Sequence, residues 1–261
     1  MDKTRTDRIR AVPREGLSGA DLKLIAAVSM VIDHSAMCLL SGHVTAAESS
    51  FSADSTVYLI LYILGRFIGR IAFPLYAFLL VEGFQKTRDR GRYLRRILAA
   101  AVLAQYPYNF ALYGDAGDTR RMNTLFTFAI GLAGIWAAEK LVDRMYKKPV
   151  RTLPGTVMTA ALCTLVILTT TEFANVINSD YRSGGVLCIF VFYALYESRA
   201  AAAFTSYLVL TLSSIAEALA FPDIFFITAY NGKRGAQYKY ANYLFYAGHL
   251  YILWLVRRFF L

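Results

Sequence analysis

The chain has 261 residues, 57% of them apolar and 18% charged, with a mean hydropathy of +0.42 and a net charge of +10. A soluble domain carries about 25% charged residues and less than about 50% apolar ones, so this composition excludes an ordinary soluble domain and points to a polytopic membrane protein. The basic excess would suggest nucleic acid in a soluble chain. Here most Lys and Arg fall in short segments between apolar runs, which reads as the positive-inside pattern, and no nucleic-acid partner is expected.

Residues 1–19 are polar and basic, with Lys3, Arg5, Arg8, Arg10 and Arg14. They read as a flexible cytoplasmic tail ahead of one transmembrane domain over 20–261. The next apolar run is too long for a signal peptide and contains Lys23, Asp33 and His34. The expected fold is all-α, a polytopic transmembrane helical bundle of about eight spans. The first span covers about Leu22 to Leu40, and the loop from Ser41 to Thr56 has no Lys or Arg and lies outside. The second covers about Val57 to Phe84, about 42 Å of helix and too long for a 30 Å core without tilt or a break, for which Pro74 is the obvious point. Six basic residues between Lys86 and Arg96 then mark the inside.

The third span covers about Ile97 to Tyr113, and the loop after it mixes Asp115 and Asp118 with Arg120 and Arg121. The fourth covers about Asn123 to Trp136, extendable to Leu141, with basic residues from Lys140 to Arg151 on the inside. The fifth covers about Pro154 to Thr170, with Glu172 to Arg182 outside. The sixth covers about Gly184 to Tyr196, the seventh Ala201 to Phe221 and the eighth Tyr240 to Val256, with Arg257 and Arg258 placing the C terminus inside. Lys233, Arg234 and Lys239 break the alternation; either a segment near 221–230 re-enters the membrane or that basic loop is functional. Cys38, Cys163 and Cys188 all lie in apolar runs, without CxxC spacing, and read as buried free thiols.

Polar groups inside apolar spans are costly and call for partners or work. His34 lies about ten residues beyond Leu24, about 15 Å deep. Asp33 sits about 100° around the helix, so His34 can face a cavity while Asp33 holds a neighbouring helix or cation. Neutral imidazole is suited to taking a proton near neutral pH, although a buried His satisfied by helix packing would look the same. Arg66 and Arg70 share one helix face and need anions: Asp33, Glu82 or a phosphate-bearing ligand. Gly65 and Gly69 form a GxxxG pattern for close helix approach. Gln105, Tyr108, Asn123 and Thr127 place amides, a phenol and a hydroxyl in the outer half of the third and fourth spans. Asp180 precedes Gly184 and Gly185, and Asn231 opens the last basic loop. His249 sits at mid-membrane depth as a cavity wall or a packed core His. No HExxH or paired-His spacing exists, so no metal is expected.

Residues 22–34, ending Met30-Val31-Ile32-Asp33-His34, and the stretch from Gly69-Arg70-Ile71 to Glu82-Gly83-Phe84 with Thr87-Arg88 resemble the TraX family of bacterial membrane proteins. The similarity continues through Tyr93, Arg96, Gln105-Tyr106-Pro107-Tyr108, Asn123, Phe126-Thr127 and Gly131. It resumes at Asp180-Tyr181, Gly184-Gly185-Val186 and Asn231-Gly232-Lys233-Arg234-Gly235, and ends at Phe245-Tyr246 and His249-Leu250. The family often has a proline before its last His-Leu pair, where this chain has Ala247-Gly248, and residues 41–56 and 200–220 match no named pattern.

The resemblance implies an integral membrane acetyltransferase of the bacterial inner membrane, multi-pass, with a cytoplasmic N terminus and acetyl-CoA as acyl donor. The family's founding member acetylates the N-terminal amine of a conjugative pilin subunit, and the wider membrane acyltransferases use a histidine in an early span. His34 and Asp33 match that catalytic position. Arg66, Arg70, Arg88, Arg92, Arg96, Lys233 and Arg234 would bind the acetyl-CoA phosphates. Glu82, Gln105, Tyr108, Asn123, Thr127, Asp180, Asn231 and His249 would line the cavity, with Arg66, Gln105 or Asn123 at the oxyanion. The acceptor, a pilin-like N terminus, another peptide or a surface glycan, stays open, as do direct transfer against an acetyl-histidine and homo-oligomer formation. The alternative is a small proton- or anion-coupled transporter using the same buried Asp, His and Arg groups.

Overall fold

The computed structural model describes residues 15–47, 53–114, 121–147, 152–236 and 241–260. Most of the basic tail, the Asp115–Arg120 loop and Lys239 therefore lie outside the described residues. The described residues form helices joined by short connections, without strands. The expected all-α class holds. Among the described residues, four helical stretches are long and apolar enough to cross a membrane: Gly19–Val44, Thr56–Lys86, Thr124–Met145 and Leu153–Val176. Arg182–Ala194 is apolar but shorter.

Helix α1 (Gly19–Ser35) starts at a capping box, in which the Asp21 carboxylate accepts from the Ser18 amide at 2.8 Å while the Asp21 amide donates to Ser18 Oγ. It runs on through a wide π turn (Ala36–Leu40) into α2 (Ser41–Ala47). The expected second span is two helices, α3 (Ala53–Gly69) and α4 (Ala72–Lys86). The break falls at Arg70 and Ile71 rather than at Pro74 itself. Pro74 has no N–H for the carbonyl four residues back, which is that of Arg70, so the ladder is lost upstream of the ring. The third span extends back to Arg90 as α5 (Arg90–Tyr113), capped by Asp89, and its Arg-rich first turns keep it out of the four apolar stretches. Helix α6 (Thr124–Tyr146) outruns the expected end, and α7 (Leu153–Val176) takes in Glu172, which was assigned to a loop. Helix α8 is Arg182–Ala194.

Beyond α8 the chain departs most from expectation. The seventh span is not one helix. Helix α9 (Arg199–Ser213) stops at Ser214, whose extended backbone turns the chain into a 3₁₀ segment (Ile215–Ala220) and then α10 (Asp223–Thr228). The Arg199 guanidinium at the start of this hairpin donates to the Tyr230 carbonyl at its end, at 2.5 Å, so the chain returns to where it started. The chain turns back at Ser214, before the 221–230 segment singled out in the sequence.

That return places residues 229–233 against residues 16–19. The amides of Leu17, Gly19 and Asn231 donate to the carbonyls of Ala229, Lys233 and Leu17 at 2.8–3.0 Å. Lys86 reaches the Gly232 carbonyl at 3.0 Å. Gly19, Lys86, Arg199 and Tyr230 therefore share one end of the bundle, the near end. The Met122–Ser179 bridge, with the Asp180 amide donating to the Met122 carbonyl, marks the far end. Helix α11 (Ala241–Phe260) runs alongside α5 and α1, and Arg257 donates to the Ala111 carbonyl at 2.9 Å. The end of α11 therefore lies at the far end of the bundle, opposite the start of α1.

The exterior is apolar. Leu153, Val157, Met158, Leu165 and Leu168 on α7 and Val57, Leu59, Ile60, Leu61, Ile63 and Leu64 on α3 are exposed. In water such a surface would not persist; in lipid it contacts tails as apolar as itself, and helix association then depends on close packing and polar contacts. Gly65 and Gly69 supply the close packing. A Cβ on Gly69 would lie 2.3 Å from Asp33 Cβ, and one on Gly65 would lie 2.5 Å from Ala36 Cβ. The GxxxG face seats α3 against α1 at Asp33 itself.

Candidate functional site

Asp33 accepts from Arg66 at 2.7 Å and from Arg70 at 3.3 Å. Arg70 also meets Glu217 of the 3₁₀ segment at 2.5 Å. Two guanidinium groups thus face two carboxylates, which satisfies the expectation that the arginines need anions and corrects the choice of the second one. Glu82 does not reach Arg70; it binds Lys86 at 2.6 Å and the phenols of Tyr196 and Tyr230 at 2.7 and 3.0 Å. Burial, then the adjacent Glu82 carboxylate, raises the Tyr230 phenol above its ordinary range and keeps it a donor. Glu217 escaped the sequence reading because it lay inside an assumed span. Its signal was there: Ser213-Ser214 before it and Pro222 after it interrupt the apolar run.

His34 turns away from Asp33, as their angular separation requires, and enters the wall of a cavity of about 850 Å³. Its Nδ1 lies 2.8 Å from Nε2 of His249, with the two rings 8° from coplanar. His249 Nδ1 lies 3.0 Å from the Phe245 carbonyl one turn back on α11. The two mid-depth histidines, 215 residues apart, are one hydrogen-bonded unit.

The cavity begins at the near end between Lys23, Lys86, Arg96 and Arg234, passes Arg70 and His34, and reaches Thr124, Asp180 and Tyr181 towards the far end. Of the residues expected to hold phosphates, Arg66, Arg70, Arg96 and Arg234 line it. Arg88, Arg92 and Lys233 do not; they are exposed, and Arg92 pairs with Asp89 at 3.1 Å. Lys23 is an addition, a cation one turn into α1 that sequence reading noted without assigning. Tyr108, Asp180 and Glu82 line the cavity as expected.

Gln105, Asn123, Thr127, Asn231 and His249 do not. Asn123 caps α6 through the Leu125 amide at 3.0 Å, and its side-chain amide donates to the Ala101 carbonyl and to Gln105 Oε1 at 2.8 and 2.9 Å. Gln105 donates to the Arg121 carbonyl at 2.6 Å and to Asn109 Oδ1 at 3.1 Å. Thr127 donates to the Asp180 carbonyl and contacts Ser179 Oγ at 3.1 Å. Asn231 donates to the Gly16 carbonyl at 2.7 Å and caps the Lys233 amide. Gln105, Asn123, Thr127 and Asn231 are spent on backbone and neighbouring side chains, so neither Gln105 nor Asn123 presents a donor to the cavity. Among the described residues no cluster of three His, Cys, Asp or Glu is placed to hold a metal.

Lipid-compatible helices wrapped around a cavity with buried ion pairs and a histidine pair define an integral membrane protein with a polar site at mid-depth. The chain belongs to the TraX family: the model described as TraX protein matches residues 18–257. It is also similar to a probable fimbrial assembly protein FimC, serogroup H1, of Dichelobacter nodosus, 30% identical over 250 residues, which are 90% of this chain and 94% of that protein. No solved structure matches.

Proposed function

We propose that the protein is an integral membrane acetyltransferase acting on an amine or hydroxyl acceptor in the assembly of surface structures such as fimbriae or pili. The single observation that carries this reading is the placement of His34. It lies in the wall of a cavity that runs from a basic mouth at one end of the bundle towards the other. A thioester arriving through the basic mouth and an acceptor arriving from the far half would meet beside that ring.

The near end would be cytoplasmic, since the basic segment from Lys86 to Arg96 begins there. The chain would then cross the bacterial inner membrane seven times, with the Arg199–Thr228 hairpin entering and leaving at the near end. Acetyl-CoA supplies the acetyl group, and the mouth suits its phosphates: Lys23, Lys86, Arg96 and Arg234 converge on it. At mid-depth His34 takes the acceptor proton as the new bond to the acetyl carbon forms, and the leaving thiolate receives that proton. Arg66 faces the developing oxyanion while Asp33 holds it in place.

The test uses the full chain purified in detergent. It should bind acetyl-CoA, hydrolyse it slowly, and acetylate a small amine or an N-terminal peptide. His34→Ala should keep binding and lose turnover by about 10²- to 10⁴-fold. A wild-type protein that neither binds nor turns over acetyl-CoA, or a His34→Ala variant with full turnover, ends this reading.

A further inference from the structure

We propose that His249 is a positioning residue that fixes which nitrogen of His34 carries the proton; the proposal rests on the acetyl-transfer reading above. A backbone carbonyl only accepts, so His249 Nδ1, 3.0 Å from the Phe245 oxygen, must carry its hydrogen. A neutral imidazole has one N–H, so His249 Nε2 presents a lone pair. The atom facing it at 2.8 Å is His34 Nδ1, which must therefore donate. The proton of His34 is thereby assigned to Nδ1, and Nε2 is left as the free lone pair, the form a general base needs.

The arrangement also fixes orientation. The ring planes are 8° from parallel and the centroids 5.1 Å apart, the separation of an end-on contact, so the 2.8 Å hydrogen bond runs in the ring planes where the lone pair points. Phe245 and Tyr246 bracket the His249 ring, at centroid distances of 5.5 and 5.7 Å. One turn on, Cys38 Sγ donates to the Leu253 carbonyl at 3.6 Å, which ties α11 to the π turn after α1 beyond the pair. Without His249 the Nδ1–H of His34 has no acceptor in a wall where unpaired polar groups are costly, and the opposite tautomer, with its proton on Nε2, gains population.

The experiment compares wild type, His249→Leu and His249→Gln as full chains in detergent, with ¹⁵N-labelled histidine. In wild type, ¹⁵N shifts should show His34 protonated at Nδ1 and bare at Nε2. His249→Leu should lower kcat by about 10²-fold or more with KM for acetyl-CoA nearly unchanged. His249→Gln, whose Oε1 can accept from the same N–H, should recover at least about tenfold of that loss. A merely structural role would lower both variants alike and leave the tautomer untouched. The proposal falls if wild-type His34 is protonated at Nε2, if His249→Leu keeps its kcat, or if Gln fails to rescue. Should wild type show no acetyl transfer at all, the enzymatic reading fails, and the ¹⁵N spectrum still decides the pairing. Should the Leu variant fail to insert, the wild-type spectrum and the Gln variant decide it.

Discussion

Two of the polar clusters inside this bundle end in opposite conditions, one of ionisable side chains and one of amides and a hydroxyl. Along α1, α3 with the turn after it, and α11, Asp33, Arg66, Arg70, His34 and His249 pair through side chains, and all but His249 border open space. Between α5, α6 and α8, Gln105, Asn123 and Thr127 turn onto carbonyls, amides and each other, and border none of it. A polar side chain in a span is therefore no sign of chemistry by itself. What separates the two clusters is hydrogen-bonding capacity left over and facing a cavity: His34 keeps a ring nitrogen, whereas Asn123 has both ends of its amide engaged.

Substitutions can break that contrast or sharpen it. The largest effect is expected at Asp33. Asp33→Leu leaves Arg66 without its carboxylate and should cost about 3–5 kcal/mol of stability, read by unfolding in detergent. The double variant Asp33→Leu with Arg66→Leu should recover part of the loss, because a buried pair replaced by apolar groups is often tolerated; no recovery would mean that Asp33 acts chiefly through Arg70. Asn123→Ala comes next. Losing the cap should cost about 1–2 kcal/mol while leaving acetyl-CoA turnover per folded molecule unchanged; a large fall in kcat would move this cluster into the site. The smallest effect belongs to Arg234→Ala at the exposed mouth. It should weaken acetyl-CoA binding by several-fold, about 1 kcal/mol or less, and the difference should shrink as salt rises. Salt-independent weakening would point to packing instead.

Much of the open cluster was legible in the sequence. Adjacent Asp and His on one helix must diverge, arginines four apart must share a face, and GxxxG must admit a close neighbour; each rule concerns one local segment and each holds in the structure. The partners across the bundle were not legible. Nothing local ties His34 to a ring 215 residues away, although their common depth was visible. Glu217 and the turn at Ser214 were hidden because hydropathy alone does not distinguish a hairpin that returns from a helix that crosses. The capping role of Asn123 was readable: an Asn directly before an apolar helical run is an N-cap signature, and depth in the membrane drew attention away from it.

The hairpin has a consequence for parity. A segment that returns to the end it left adds nothing to the tally of sides, so the start of α1 and the end of α11 lie at opposite ends of the bundle. A reporter that matures in only one compartment, fused after residue 261 and separately inserted between residues 236 and 241, should light up in just one of the two fusions. Arg257, anchored on the Ala111 carbonyl, then joins Arg121 and Arg182 as basic residues at the end opposite the Lys86–Arg96 segment, exceptions to the charge rule.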